Sequence, residues 1–204
     1  MSGRKQFDVD AALDQAMRVF WQRGYADASL DALGSATGLG RGSLYGTFGS
    51  KDALFHRCLE RYAALYGARY EDAFAAHPGD PVRGVEAFFE VVLERIADPS
   101  LPAGCLIAQS AAQSPTLTRE SGERVRGLLD RQHRRVRAAL ADSSSAGPGT
   151  LDELATFVVA VNQSLAVLSR AGASDTELRS VTRLACATVA RSLAGPAPGH
   201  PSPA

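Results

Sequence analysis

Apolar residues recur at helical spacing along most of the chain, and no stretch alternates with the two-residue period of a strand. From Asp10 to Arg23, Leu13, Met17 and Phe20 share one face, with Ala12, Ala16 and Val19 beside them. Gly24 follows the last periodic residue and suits the left-handed conformation that ends a helix. Ser29 is a good N-cap, and Asp31 lies in the first turn, where the helix dipole favours an anion. Leu30, Leu33 and Ala36 make the inward stripe of this second helix, which Thr37-Gly38 ends, and Leu39 plugs the turn. Arg41 to Phe48 is a third, short helix. Its Leu44 and Phe48 face inward, leaving Arg41, Gly42, Ser43, Tyr45, Gly46 and Thr47 outward. Gly49 breaks it. Ser50 caps a long helix to about Ala76, with Leu54, Phe55, Cys58, Leu59, Tyr62 and Leu65 on its apolar side.

The pattern continues in the same way. Helices are expected over 81–97, 104–113, 117–141, 151–171 and 175–194, separated by Pro- and Gly-bearing breaks. Residues 142–149, DSSSAGPG, read as a flexible link, and the end, GPAPGHPSPA, reads as a disordered tail. The fold class is all-α with about nine helices. The expected domains are 1–55, 56–195 and the tail 196–204.

Charge changes little in this picture. Lys+Arg and Asp+Glu are both 22, so there is no overall basic character. Residues 1–57 hold seven Lys/Arg against six Asp, so a case for DNA must rest on geometry rather than on net charge. Arg4 and Lys5 sit in a polar N-terminal arm able to touch phosphates. The three cysteines, Cys58, Cys105 and Cys186, are too few and too scattered for a disulfide framework or a metal cluster. No metal and no cofactor is expected. No signal-like segment and no apolar run of membrane-spanning length is read in the chain, so a cytoplasmic protein without a membrane partner is expected.

Helix, tight turn and short second helix over Ser29–Leu54 is the layout of a helix-turn-helix DNA reader. Residues 10–60 resemble the DNA-binding domain of TetR/AcrR-type transcriptional repressors. The matching positions are Ala16, Phe20, Gly24, Tyr25, Ser29, Leu30, Ala36, Gly38, Leu39, Gly42, Ser43, Leu44, Tyr45, Phe48, Ser50, Lys51, Leu54 and Phe55. The chain departs from the family at Gly40, where Ser or Thr is common, and at Gly46, where a larger side chain is common. Those glycines leave few side chains for reading bases.

The resemblance implies a repressor that binds a pseudo-palindromic, double-stranded operator as a homodimer and is released by a small-molecule effector. The DNA-contacting set is then Ser29, Arg41, Gly42, Ser43, Tyr45, Thr47 and Lys51. Arg41 can take guanine O6 and N7 or a phosphate. Tyr45 by resemblance bonds a phosphate. Lys51 joins free N–H groups at the start of a helix, a good place for a phosphate. The expected dimer face is Val158, Val161, Leu165, Leu178, Val181, Leu184, Ala185 and Thr188; an intramolecular core is the alternative. The expected effector pocket draws on Phe88, Phe89, Gln109, Gln113, Leu129, His133, Phe157 and Asn162, each also readable as plain core. Cys105, after Gly104 at a helix start, resembles the cysteine of regulators that sense oxidants or electrophiles; a small buried residue is the alternative. An enzyme built on Cys105 and His133 has no supporting motif, so no catalytic residue is expected.

Overall fold

The computed structural model describes residues 8–142 and 146–194. Arg4 and Lys5, residues 143–145 of the link and the tail 196–204 lie outside the described residues. Among the described residues there are nine α-helices, one short 3-10 turn and no strand. They are α1 (Val9–Asp27), α2 (Leu30–Thr37), α3 (Arg41–Phe48), α4 (Lys51–Ala75), α5 (Pro81–Ala97), α6 (Leu106–Ala112), α7 (Arg119–Ala141), α8 (Pro148–Arg170) and α9 (Asp175–Ala194), with the 3-10 turn at Ser114–Thr116. The all-α class and the helix count agree with the pattern of the sequence.

The chain divides into two compact units. The first comprises residues up to Tyr66 together with Pro99–Leu129, and the second Gly67–Asp98 together with the residues from Asp130 onward. Packing therefore does not divide the chain at the expected boundary of residue 55. The first half of α4, α6 and the start of α7 pack in the same unit as α1–α3.

In the first unit α1 packs on α2 and α6, and its aromatic side chains meet those of α4. Phe20 and Trp21 are completely buried. The Phe20 and Phe55 rings lie 5.0 Å apart, and Trp21 meets Tyr62 edge-on at 5.0 Å. A Phe side chain buried in this way contributes about 2–3 kcal/mol. Arg61 adds a fork onto α1, with one nitrogen 2.8 Å from Asp14 Oδ2 and another 3.2 Å from Asp10 Oδ1. Leu65 falls off this face: it is 51% exposed, and Tyr66 takes the buried position instead. At about 100° per residue Leu65 keeps the side of Leu54 and Cys58, so its exposure is set by what packs on that side there and not by the helical period. Ala36 of α2 is likewise exposed, so Leu33 alone anchors that helix fully.

The end of α1 is shaped by Gly24. Its φ of 81° and ψ of 173° interrupt the helical geometry, in a region open essentially to glycine alone. A Cβ there would stand 2.3 Å from the side-chain amide of Gln113. Gly24 has a positive φ, but not the left-handed conformation expected at a helix end: α1 runs on to Asp27 beyond it, and the Tyr25 N–H bonds Gln113 just after it.

In the second unit α5, α8 and α9 pack together. Phe88 sits among Tyr70, Phe74 and Phe89. Four residues of the expected dimer face, Val158, Leu165, Leu178 and Ala185, are buried inside this unit. Leu184 is 68% exposed, and Phe157, Val167 and Leu168 are exposed as well. Contrary to expectation, α8 is long and apolar enough, by length and composition, to cross a membrane. Its buried side, with Leu154, Ala155, Val158, Leu165 and Ala166, is engaged in the packing of this unit.

Replacing Gly24 by Ala imposes both the strained φ and the clash with Gln113. The variant is expected to lose about 2–3 kcal/mol of unfolding free energy, read from urea midpoints at constant slope.

Candidate nucleic-acid interface

The interface is assembled from the turn outward. Ser29 Oγ accepts from the Ala32 N–H at 3.1 Å and starts α2, as a cap should. At the other end Gly38 takes the left-handed conformation at φ 69°. The chain then doubles back so tightly that the Leu39 carbonyl would stand 2.9 Å from a Cβ on Gly34. Leu39 is buried in the turn. Gly40 precedes α3 without any side-chain cap.

α3 has two buried residues, Leu44 and Phe48. Arg41, Gly42, Ser43, Tyr45 and Gly46 are exposed, Tyr45 by 46%, and Thr47 is half-buried. The outward face is thus the one expected. Arg41 is not idle: it forks onto Asp31 Oδ1, with Nε at 3.2 Å and a terminal nitrogen at 2.9 Å. Both side chains are mostly in solvent. Such a pair contributes only about 0.2–1 kcal/mol, so exchanging Asp31 for an anion on DNA costs little.

Lys51 opens α4. Its Nζ lies 4.5 Å from the centre of the Tyr25 ring and 3.4 Å from the Ala26 carbonyl. Partial burial lowers its pKa, against the pull of Asp52 and Asp27. Tyr25 is fixed in turn. Its hydroxyl donates to Asp52 Oδ1 at 2.8 Å and its N–H donates to Gln113 Oε1 at 3.0 Å. Burial, and then the bond to Asp52, push the phenol up to about 12. Tyr25, Asp52 and Gln113 thus form one linked group beside Lys51, whereas the sequence placed Gln113 in an effector pocket and gave Asp52 no role. The resemblance marked only Tyr25, and spacing carries no sign of a partner so far along the chain.

The expected effector residues have separate fates. Phe88 is core, Phe89 is buried beside it, Leu129 and Gln109 are half-buried, and Phe157 lies at the surface. Gln113 is occupied with α1. His133 Nε2 lies 3.2 Å from Thr156 Oγ1. Asn162 is buried and its Oδ1 has no hydrogen-bond partner. Next to it, Gln163 Nε2 donates to Gln132 Oε1 at 3.2 Å, while Gln163 Oε1 has no partner. An open groove of about 870 Å³ runs along α5 and α9; of the expected residues only Phe89 lines it. Cys105 stands just before α6 as its N-cap residue and is 5% exposed. Cys58 is buried, which pushes its thiol well up, and burial with Glu86 and Glu90 pushes Cys186 up to about 11. Among the described residues no group of His, Cys, Asp and Glu is arranged to hold a metal ion.

Comparison with known proteins agrees with this geometry. Residues 12–58 match the family described as bacterial regulatory proteins, tetR family, and residues 81–185 match the tetracyclin repressor-like C-terminal domain. The HTH-type transcriptional repressor ComR of Escherichia coli K12 is 32% identical over 184 residues, covering 87% of this chain and 86% of ComR. The chain belongs to the tetR family. Among solved structures, a cysteine mutant of the TetR family regulator CifR, complexed with a 26-base-pair double-strand operator, superposes with a TM-score of 0.81 at 32% identity. That match covers 90% of this chain and 97% of CifR. The reduced form of E. coli NemR shares the fold at 20% identity, with a TM-score of 0.74 over 92% of this chain and 97% of NemR.

The raised phenol gives a pH test. A group with its folded pKa above its unfolded value stabilises the fold fully below the unfolded value and loses that effect as pH rises. Tyr25 therefore stabilises below about pH 10, its unfolded value, and the effect is lost as pH climbs to about 12. Stability of the wild-type protein should fall through that window more steeply than that of Tyr25→Phe, in chemical denaturation followed as a function of pH.

Proposed function

We propose that this member of the tetR family is a transcriptional repressor that binds a pseudo-palindromic operator as a dimer and leaves it when a small effector binds. The observation that carries the reading is α3 itself: a helix held by Leu44 and Phe48, with Arg41, Ser43 and Tyr45 turned to solvent and Lys51 just beyond it. CifR, similar along nearly its whole length, is found on operator DNA. Arg41 gives up Asp31 and reads a guanine or takes a phosphate. Tyr45 and Lys51 hold phosphates, Ser43 and Thr47 reach bases or backbone, Gly42 lets the helix approach closely, and Ser29 contributes from the start of α2.

Dimerisation uses the outer side of α8 and α9. Phe157, Val161, Ser164 and Leu168 follow one another at helical spacing on α8, and Val181, Leu184 and Thr188 do so on α9. Leaving Leu184 and Val167 more than 60% exposed has no benefit to a lone chain, and a second copy covers them. This supports the outer half of the expected face, while its inner half packs within the unit. The effector is placed in the second unit, where Asn162 and Gln163 each have a buried oxygen without a partner. A ligand donor there satisfies a group that costs roughly 1–3 kcal/mol to leave unpaired. A switch through Cys105 has less support, because that thiol is buried.

Replacing Arg41, Tyr45 and Lys51 together should abolish specific operator binding while leaving helicity intact, by titration of a duplex selected by the wild-type protein. Lys51→Ala alone should flatten the plot of log affinity against log salt by about 0.9, the value for one phosphate. An operator affinity indifferent to the triple replacement overturns the reading. Leu184→Arg should give monomers in sedimentation and weaken operator binding on the order of 10²-fold, since one half-site alone must then suffice.

A further inference from the structure

Three hydroxyl groups surround one carboxylate oxygen at the start of α4. Asp52 Oδ1 accepts from Tyr25 at 2.8 Å and from Ser121 Oγ at 3.1 Å, and Thr118 Oγ1 lies 3.4 Å away. Ser121 is completely buried. His56, also buried, places Nε2 2.8 Å from Ser121 Oγ. His56 Nδ1 in turn lies 3.5 Å from Glu120 Oε1, and the tautomer of the ring sets the direction of its bond with Ser121. Ser121 and Tyr25 thus meet the same oxygen of Asp52. The face of the Tyr25 ring then carries Lys51 Nζ.

We propose that Ser121 and Asp52 are positioning residues for operator binding: they set the Tyr25 ring, and the ring presents the Lys51 ammonium to a phosphate. The inference rests on Lys51 meeting a phosphate, as put forward above. A lysine has a flexible four-carbon stem, and ordering it on contact with DNA lowers the affinity gained. The ring face and the Ala26 carbonyl together hold the ammonium before DNA arrives. The ring in turn depends on its hydroxyl. Without the bond to Asp52, its backbone N–H, held by Gln113, and the packing of its ring against Phe55 at 4.9 Å and Phe20 at 6.3 Å remain, and neither holds the hydroxyl end of the ring. The start of α7, which meets no DNA in this reading, thereby acts on a phosphate contact through a hydrogen-bonded chain of three residues.

The test is a thermodynamic cycle on operator binding, read as affinity and as salt slope. Wild type, Lys51→Ala, Ser121→Ala, Tyr25→Phe and the two double variants with Lys51→Ala are titrated onto a duplex selected by the wild-type protein from a randomised pool. Ser121→Ala and Tyr25→Phe are each expected to weaken binding about three- to tenfold at low salt and to flatten the slope by up to about 0.9. Neither should have any further effect once Lys51 is Ala. Tyr25→Phe removes a single oxygen from a half-buried site, so the cycle stands even where Ser121→Ala unfolds the protein. If Lys51→Ala changes the slope and the second replacement weakens binding by the same factor with or without Lys51, the effect is ordinary destabilisation and the positioning role is overturned. If Lys51→Ala leaves the slope unchanged, Lys51 meets no phosphate, and both this inference and that part of the proposed function fall.

Discussion

The first unit depends on the seam between α1 and α4. Two aromatic side chains with no exposed surface, Phe20 and Trp21, meet Phe55, Tyr62 and Tyr66 across it. α2 and α3 are only eight residues each, too short to be stable alone in water. They exist because Leu33, Leu39, Leu44 and Phe48 have an apolar surface to pack on. Arg61, with its two aspartates on α1, fixes the same seam from the outside. Any geometry offered to DNA is inherited from this packing, not from the intrinsic preferences of the glycine-rich third helix.

Local signals were legible in the sequence, and distant ones were not. Ser29 caps α2, Gly38 turns left-handed and Leu44 and Phe48 face inward, because cap chemistry and helical period involve only a few neighbouring residues. The grip of Gln113 on Gly24 and Tyr25 spans the chain from α6 to α1. Its glutamine was read as a candidate for an effector pocket, since a polar residue on an apolar helix looks the same in either role. The stripes of α8 and α9 show a related ambiguity. Each helix has apolar residues on two sides, one packed within the unit and one exposed, and periodicity alone cannot say which residues go where. Val158 and Leu184 were assigned to one face, yet the first is wholly buried and the second largely in solvent.

Electrostatics in the N-terminal region is a matter of placement. With seven basic residues against six acidic ones in residues 1–57, no broad positive field is available to attract DNA. Two of the basic side chains are instead held ready. Arg41 rests on Asp31 and Lys51 on the Tyr25 ring, and both partners are weak enough to be exchanged or kept when a phosphate arrives. Lys51 remains partly desolvated in the process, which strengthens whatever anion it meets.

A reader of this kind places a demand on the rest of the chain. Each phosphate or guanine contact is worth only a few kcal/mol, and α3 offers one long cationic side chain and four glycines along it or at its ends. One such helix gives little discrimination. In the proposed dimer two copies, held at a fixed separation by the exposed sides of α8 and α9, multiply it. Because the contacts are few, the combined affinity falls quickly once the two readers no longer match the two half-sites. An effector that favours a different conformation by even 1–3 kcal/mol, the ordinary range of coupling between sites, then suffices to release the operator. In the proposed reading, the sparse chemistry of α3 is what makes a small ligand able to control it.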